Sequence, residues 1–319
     1  MKIPSACLPS ISGFIETDYI KGITTRALGY IKAGFPLHFR GISGTGKTSL
    51  AIDIAAKLGR PLMLIHSHDL FSSGNIAGMP GYLPRNTHTV FVPASSGTIH
   101  QRDRNRLENS LSVACRYGYT LVYDEFPRST QDRKTIRALL PILQEKYPGT
   151  LAVPFYHHRK GNIHKNFTAI FTSNPETHAN IYGICDTLTK KMLTLDLDFF
   201  DKETETCIVK NASGLDPMDA ERIVTLVRKL RASGVSESPP TVRAGMKIAK
   251  TVKELNRQVS RNDVYFIQIC LDILSSETSR LGNRSNKTNI RQALIGLIER
   301  YCGPLPDTGS RCRATYLAG

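Results

Sequence analysis

No run of about 18 apolar residues occurs in the 319-residue chain, so no segment has the length to span a bilayer as a helix. The first thirteen residues lack the apolar core of a secretory signal, and the expectation is a soluble, cytoplasmic protein without integral membrane association. The seven cysteines are odd in number and scattered, with no Cys-x-x-Cys pair, so neither a disulfide framework nor a zinc ribbon is indicated. His66 and His68 have no third ligand at metal spacing. Acidic residues are short relative to basic ones, 27 against 42, which leaves a net charge of +15 and favours an acidic partner such as nucleic acid, a membrane surface or an acidic protein. The bases fall into separate clusters, Arg102 to Arg116, Arg128 to Arg137 and residues 157–165, a dispersal more typical of solvated faces or subunit contacts than of a DNA-reading stripe. With 40% hydrophobic and only 22% charged residues, the chain can bury a core in one or two domains.

Against that background one local pattern stands out. The apolar run from Pro36 to Arg40 leads into Gly41-Ile-Ser-Gly-Thr-Gly-Lys-Thr48, and a helical stretch follows through Ala51, Ile54 and Leu58 to Gly59. Strand, glycine loop and helix in that order fit GxxxxGK[ST], and each residue type has a task. Gly41, Gly44, Thr45 and Gly46 let backbone N–H groups face phosphate oxygens, with Ser49 continuing into the helix. Lys47 reaches the β- and γ-phosphates of ATP, and the Thr48 hydroxyl is placed to ligate Mg²⁺.

Such a cradle needs a metal carboxylate and a base. Tyr119-Thr-Leu-Val-Tyr-Asp124-Glu125 reads as an apolar strand ending in two acids, Asp124 for Mg²⁺ and Glu125 to polarise the attacking water. A second buried run, Thr168-Ala-Ile-Phe-Thr-Ser-Asn174, puts Asn174 at a strand end, where it can orient that water. Farther on, Ile223, Leu226, Val227 and Leu230, then Phe266, Ile269, Cys270 and Ile273, recur at helical spacing and predict a helical second domain. The Ser/Gly/Pro stretch from Ala232 to Pro240 predicts a loop between helices.

The order and wording of these motifs resemble the gas vesicle protein N family, a branch of the MoxR-type AAA+ ATPases, over about residues 14–255. The resemblance is carried by Phe14-Ile-Glu-Thr-Asp-Tyr19, Phe39 to Thr48, Gly118 to Phe126, Ala169-Ile-Phe-Thr-Ser-Asn-Pro-Glu176 and Asp201-Lys-Glu-Thr-Glu205. It implies an α/β fold: a P-loop AAA+ parallel-sheet nucleotide-binding domain over residues 1–205, a smaller helical lid over 206–302 and a tail over 303–319. It further implies a homo-oligomeric ring, commonly a hexamer, with gas vesicle assembly proteins as partners and ATP and Mg²⁺ as cofactors. Arg243 in Thr241-Val-Arg-Ala244 resembles the lid arginine that contacts the γ-phosphate, and Arg128 matches an arginine near the subunit interface.

Where the family has Asp-Arg before an apolar strand, this chain reads Thr189-Lys-Lys-Met-Leu193, so Lys191 stands at the arginine-finger position. Lysine keeps the charge without the planar fork, which predicts weaker hydrolysis or another finger such as Arg128. Pro141 should kink an otherwise helical stretch over 134–146. Residues 72–109 are expected to hold pore-facing loops, with Arg102, Arg104 and Arg106 gripping an acidic or extended client. Three function classes follow: an assembly ATPase, a MoxR-type chaperone that activates or metallates a partner enzyme, and a non-hydrolysing basic scaffold or nucleic-acid clamp.

Overall fold

The computed structural model describes residues 13–66, 89–91, 114–115, 117–126, 163–174, 190–236, 238–278 and 284–303. The chain divides into two compact units, Met1–Phe199 and Phe200–Gly319.

Among the described residues of the first unit, six strands form one parallel sheet: β1 (Leu37–Arg40), β2 (Leu62–His66), β3 (Thr89–Phe91), β4 (Thr120–Asp124), β5 (Thr168–Ser173) and β6 (Leu193–Asp196). Their spatial order is β3-β2-β4-β5-β1-β6. Strands β4 and β5 are buried along their whole length, as expected for a parallel sheet covered on both faces. Helix α1 (Asp18–Lys32) starts at Thr17, whose hydroxyl accepts from the Ile20 amide, and buries Ile20, Ile23, Ala27 and Ile31 along one stripe. Helix α2 (Lys47–Lys57) buries Leu50, Ala51, Ile54 and Ala55 and packs on β1, β2, β4 and β5. Tyr123, Phe126 and Phe171 interlock in a separate cluster with Met63, Ala114, Leu121 and Ala169, the first two rings edge to face with centroids 4.6 Å apart.

Because β1 lies between β5 and β6 while the chain leaves it for β2, on the far side of β4 and β5, the carboxyl ends of β1, β4 and β5 adjoin a point where the strand order reverses. Ligand crevices of open α/β sheets form at such points. Register keeps the ends level: Arg40 pairs with Ser173, and Tyr123 with Phe171.

The second unit is helical among its described residues: α3 (Lys202–Ser213), α4 (Pro217–Ala232), α5 (Val242–Glu254), α6 (Val264–Thr278) and α7 (Arg284–Tyr301). Local chemistry sets the starts. Asp201 caps α3 through the Thr204 amide at 2.7 Å, and Asp216 caps α4 ahead of Pro217. The stripe Ile223, Val224, Leu226, Val227, Leu230 packs with Ile248, Val252, Phe266, Cys270, Leu274 and Leu294 in one core. Glycine at 245 lets α5 approach α3, since a Cβ there would lie 3.2 Å from a Val209 methyl. The family segment Asp201 to Glu205 is therefore a helix start: its first residue is the cap and its last is buried.

Candidate nucleotide site

The glycine loop connects β1 to α2 in the way its spacing predicts. Gly44 and Gly46 take φ of 85° and 73°, a left-handed backbone that side chains with a Cβ disfavour. Gly41 is needed for a different reason. A Cβ there would sit 2.2 Å from the Leu197 carbonyl oxygen, because the chain leaving β6 runs against the end of β1 and bonds Leu197 N to Arg40 O at 2.7 Å. Within the loop Thr45 Oγ1 donates to Ile42 O at 2.9 Å, and Lys47 Nζ arches back to the same carbonyl at 2.7 Å. Lys47 is buried, so its ammonium is held at the loop rather than released to solvent. Ser49 lies in the first turn of α2, where free amides and the helix dipole favour anions.

The acid that meets this loop comes from the end of β4, two strands away at the same carboxyl edge. Thr48 Oγ1, at the start of α2, donates to Asp124 Oδ1, at the end of β4, at 2.6 Å. The same Asp124 oxygen accepts a second hydroxyl, Thr172 Oγ1 from β5, at 2.5 Å. Asp124 is buried, whereas the next residue, Glu125, turns into solvent with φ 56°, a strained conformation for a non-glycine residue. Asn174 follows β5 half-buried, at the same carboxyl edge. One edge of the first unit thus gathers Gly41 to Ser49, Asp124, Glu125 and Asn174.

Four further residues, Thr172, His38, Arg40 and Asp196, complete the surroundings. Thr172 accepts from the Glu125 amide at 2.9 Å as well as donating to Asp124. His38, buried on β1, bridges its neighbours, with Nε2 2.7 Å from Ser173 Oγ and Nδ1 3.1 Å from Thr194 Oγ1. The only hint in the sequence is polar residues in otherwise apolar strands, and their meaning depends on register. At the rim Arg40 and Asp196 form a two-pronged ion pair, and the Arg40 guanidinium holds the Asp196 carboxyl below its ordinary range.

The donors suit magnesium. A hydroxyl and a carboxylate are hard oxygen ligands, and among the described residues no group of three or more His, Cys, Asp or Glu is placed to hold a metal unaided. A cation between Thr48 and Asp124 would complete its shell with phosphate oxygens and water, the usual manner for Mg²⁺ beside a nucleotide.

Lys191 is exposed just before β6, and Arg243 is exposed in the first turn of α5, which is capped by Thr241. Arg102, Arg104, Arg106, Arg128, Pro141, His68 and the tail from 304 lie outside the described residues.

The chain is 37% identical over 306 residues to the gas vesicle ATPase GvpN of Ancylobacter aquaticus, covering 94% of this chain and 84% of that one. It is 32% identical over 289 residues to the gas vesicle ATPase GvpN of Haloferax mediterranei, with 88% and 79% covered. No protein-family model matches. Among solved structures, domain III of the Thermotoga maritima replication initiation protein DnaA superposes with a TM-score of 0.51 at 12% identity, over 87% of this chain and all of that domain. At that identity the likeness concerns fold alone, and the fold is the P-loop AAA+ architecture.

Proposed function

The chain belongs to the gas vesicle ATPase GvpN family, and on that premise we propose that it hydrolyses ATP at the carboxyl edge of its sheet to remodel protein during gas vesicle assembly. The observation that carries the chemistry is the 2.6 Å contact between Thr48 and Asp124, which joins the glycine loop to the acid-bearing strand. Two motifs far apart in sequence make one site.

In this reading the loop amides and Lys47 hold the β- and γ-phosphates, while Thr48 and Asp124 hold Mg²⁺. Bound there, Mg²⁺ would neutralise charge on the phosphate oxygens. Glu125, exposed at the same edge, takes the proton from the attacking water. Asn174 orients that water from the end of β5. Arg243 of the helical unit, acting as a lid, contacts the γ-phosphate and reports nucleotide state. The working form is a homo-oligomeric ring, a hexamer in the arrangement common to such ATPases. Lys191 or Arg128 supplies the charge that crosses between subunits. No helix among the described residues is long and apolar enough to cross a membrane, and the proposed setting is the cytoplasm, in association with gas vesicles.

Lys191 also supports a second reading, a basic scaffold that binds ATP without turnover, since a lysine lacks the guanidinium fork. Steady-state ATPase activity of wild type and Glu125→Gln, with size-exclusion chromatography with and without ATP and Mg²⁺, separates the two. Turnover lost in the variant while ATP binding persists supports the enzyme. A variant as active as wild type refutes the assignment of Glu125, and an inactive, ATP-binding wild type favours the scaffold.

A further inference from the structure

The structure assigns Thr172 as a positioning residue that locks the metal-side carboxylate of Asp124 and the backbone of Glu125 into one unit; this rests on the roles proposed above for those two acids. Thr172 is fully buried on β5, beside β4. Its hydroxyl has one proton and is used in both directions, donating to Asp124 Oδ1 at 2.5 Å and accepting from Glu125 N at 2.9 Å. Its own carbonyl accepts from Phe126 N at 2.7 Å. Three consecutive residues after the β4 core are therefore tied to a single residue of the neighbouring strand.

These contacts bear on the two acids differently. Asp124 Oδ1 lies between two hydroxyl donors, Thr48 on the phosphate side and Thr172 on the sheet side. Thr172 thereby holds from the sheet side the same oxygen that accepts from Thr48. At Glu125 the left-handed backbone, φ 56°, has to be held by its surroundings. The Thr172 hydroxyl on the Glu125 amide is one such hold, and it fixes where the exposed carboxylate projects. A residue that never touches nucleotide thereby controls both the metal ligand and the base.

The test compares Thr172→Val, which keeps the shape and removes the hydroxyl, with Thr172→Ser, which restores it. In Thr172→Val, ATP binding without Mg²⁺ should stay within about twofold of wild type. Turnover and the affinity for Mg²⁺ in the presence of ATP should each fall about 10- to 100-fold, as for other partners behind metal ligands. Thr172→Ser should recover most of both. A merely structural role would lower thermal stability equally in the two variants without separating Mg²⁺-dependent from Mg²⁺-free binding. Thr172→Val with wild-type turnover and Mg²⁺ affinity overturns the inference, as does Thr172→Ser failing to the same degree. Should the valine variant not fold, amide hydrogen exchange in the nucleotide-free wild type decides: slow exchange at Glu125 supports the hold, and exchange at the rate of an open loop refutes it. An inactive wild type instead overturns the ATPase reading, so the two failures are distinguishable.

Discussion

Glu205 offers the strongest test of what stabilises the helical unit. Its carboxylate, 2% exposed on α3, accepts from Arg231 Nη2 at 2.8 Å through one oxygen and from Arg228 Nη1 at 3.0 Å through the other. The arginines have second tasks: Arg228 also donates to Phe200 O, and Arg231 Nε donates to Pro240 O just ahead of the α5 cap. Glu205→Gln keeps the shape and removes the charge. Breaking a buried pair from one side costs about 3–5 kcal/mol, because the partner charge remains buried. Only Arg231, whose side chain is 11% exposed, counts in full; Arg228 is 35% exposed and screened, which adds about 1 kcal/mol at most. The expected loss is therefore about 3–5 kcal/mol, set mainly by Arg231, or about 15–25 °C in melting temperature for a domain of roughly a hundred residues. Urea unfolding of nucleotide-free protein, followed by circular dichroism, measures it without the stabilisation that a bound ligand adds. As a control, Glu221→Gln breaks the exposed 2.5 Å pair with Lys202 and should change stability by no more than about 0.5 kcal/mol. A Glu205→Gln loss as small as the control's would refute the argument that burial, rather than pairing, sets the magnitude.

Gly41→Ala should destabilise the first unit by about 1–3 kcal/mol and weaken ATP binding, since the new methyl meets a backbone carbonyl that has nowhere to move; unfolding midpoints and nucleotide titration check both. Burial pushes the Cys115 thiol up to about 12, so at about pH 8 it should resist alkylation while half-buried Cys207 reacts, as peptide mass spectrometry would read. The sign follows from a folded value above the unfolded one. The stabilisation is complete below about pH 8.5 and declines as pH rises toward 12, so Cys115→Ala should flatten the alkaline limb of a stability profile.

What was legible in the sequence was whatever its local spacing encodes. Gly44, Gly46, Lys47 and Thr48 are close neighbours, and the strand-to-helix turn they make follows from backbone freedom and the helix start. Asp124, Glu125 and Asn174 were named because apolar runs end at them, and the α4 stripe because its period is helical. The loop from Ala232 to Pro240 likewise follows α4, which ends at Ala232.

Other features exist only once strands are paired. Thr172 and His38 look like ordinary polar residues in apolar runs until register sets Thr172 beside Asp124 and His38 between Ser173 and Thr194. Glycine at 41 reads as a source of loop flexibility, yet the contact that requires it comes from Leu197, more than a hundred residues away. The division after Phe199 places Asp201 to Glu205 in the helical unit, where Glu205 finds two arginines that no local pattern marks. Helix periods, caps and glycine turns are decided within a few residues, where sterics and hydrogen bonds act between neighbours. The partners of a buried hydroxyl, imidazole or carboxylate are decided by how distant segments pack, and only the tertiary structure supplies that.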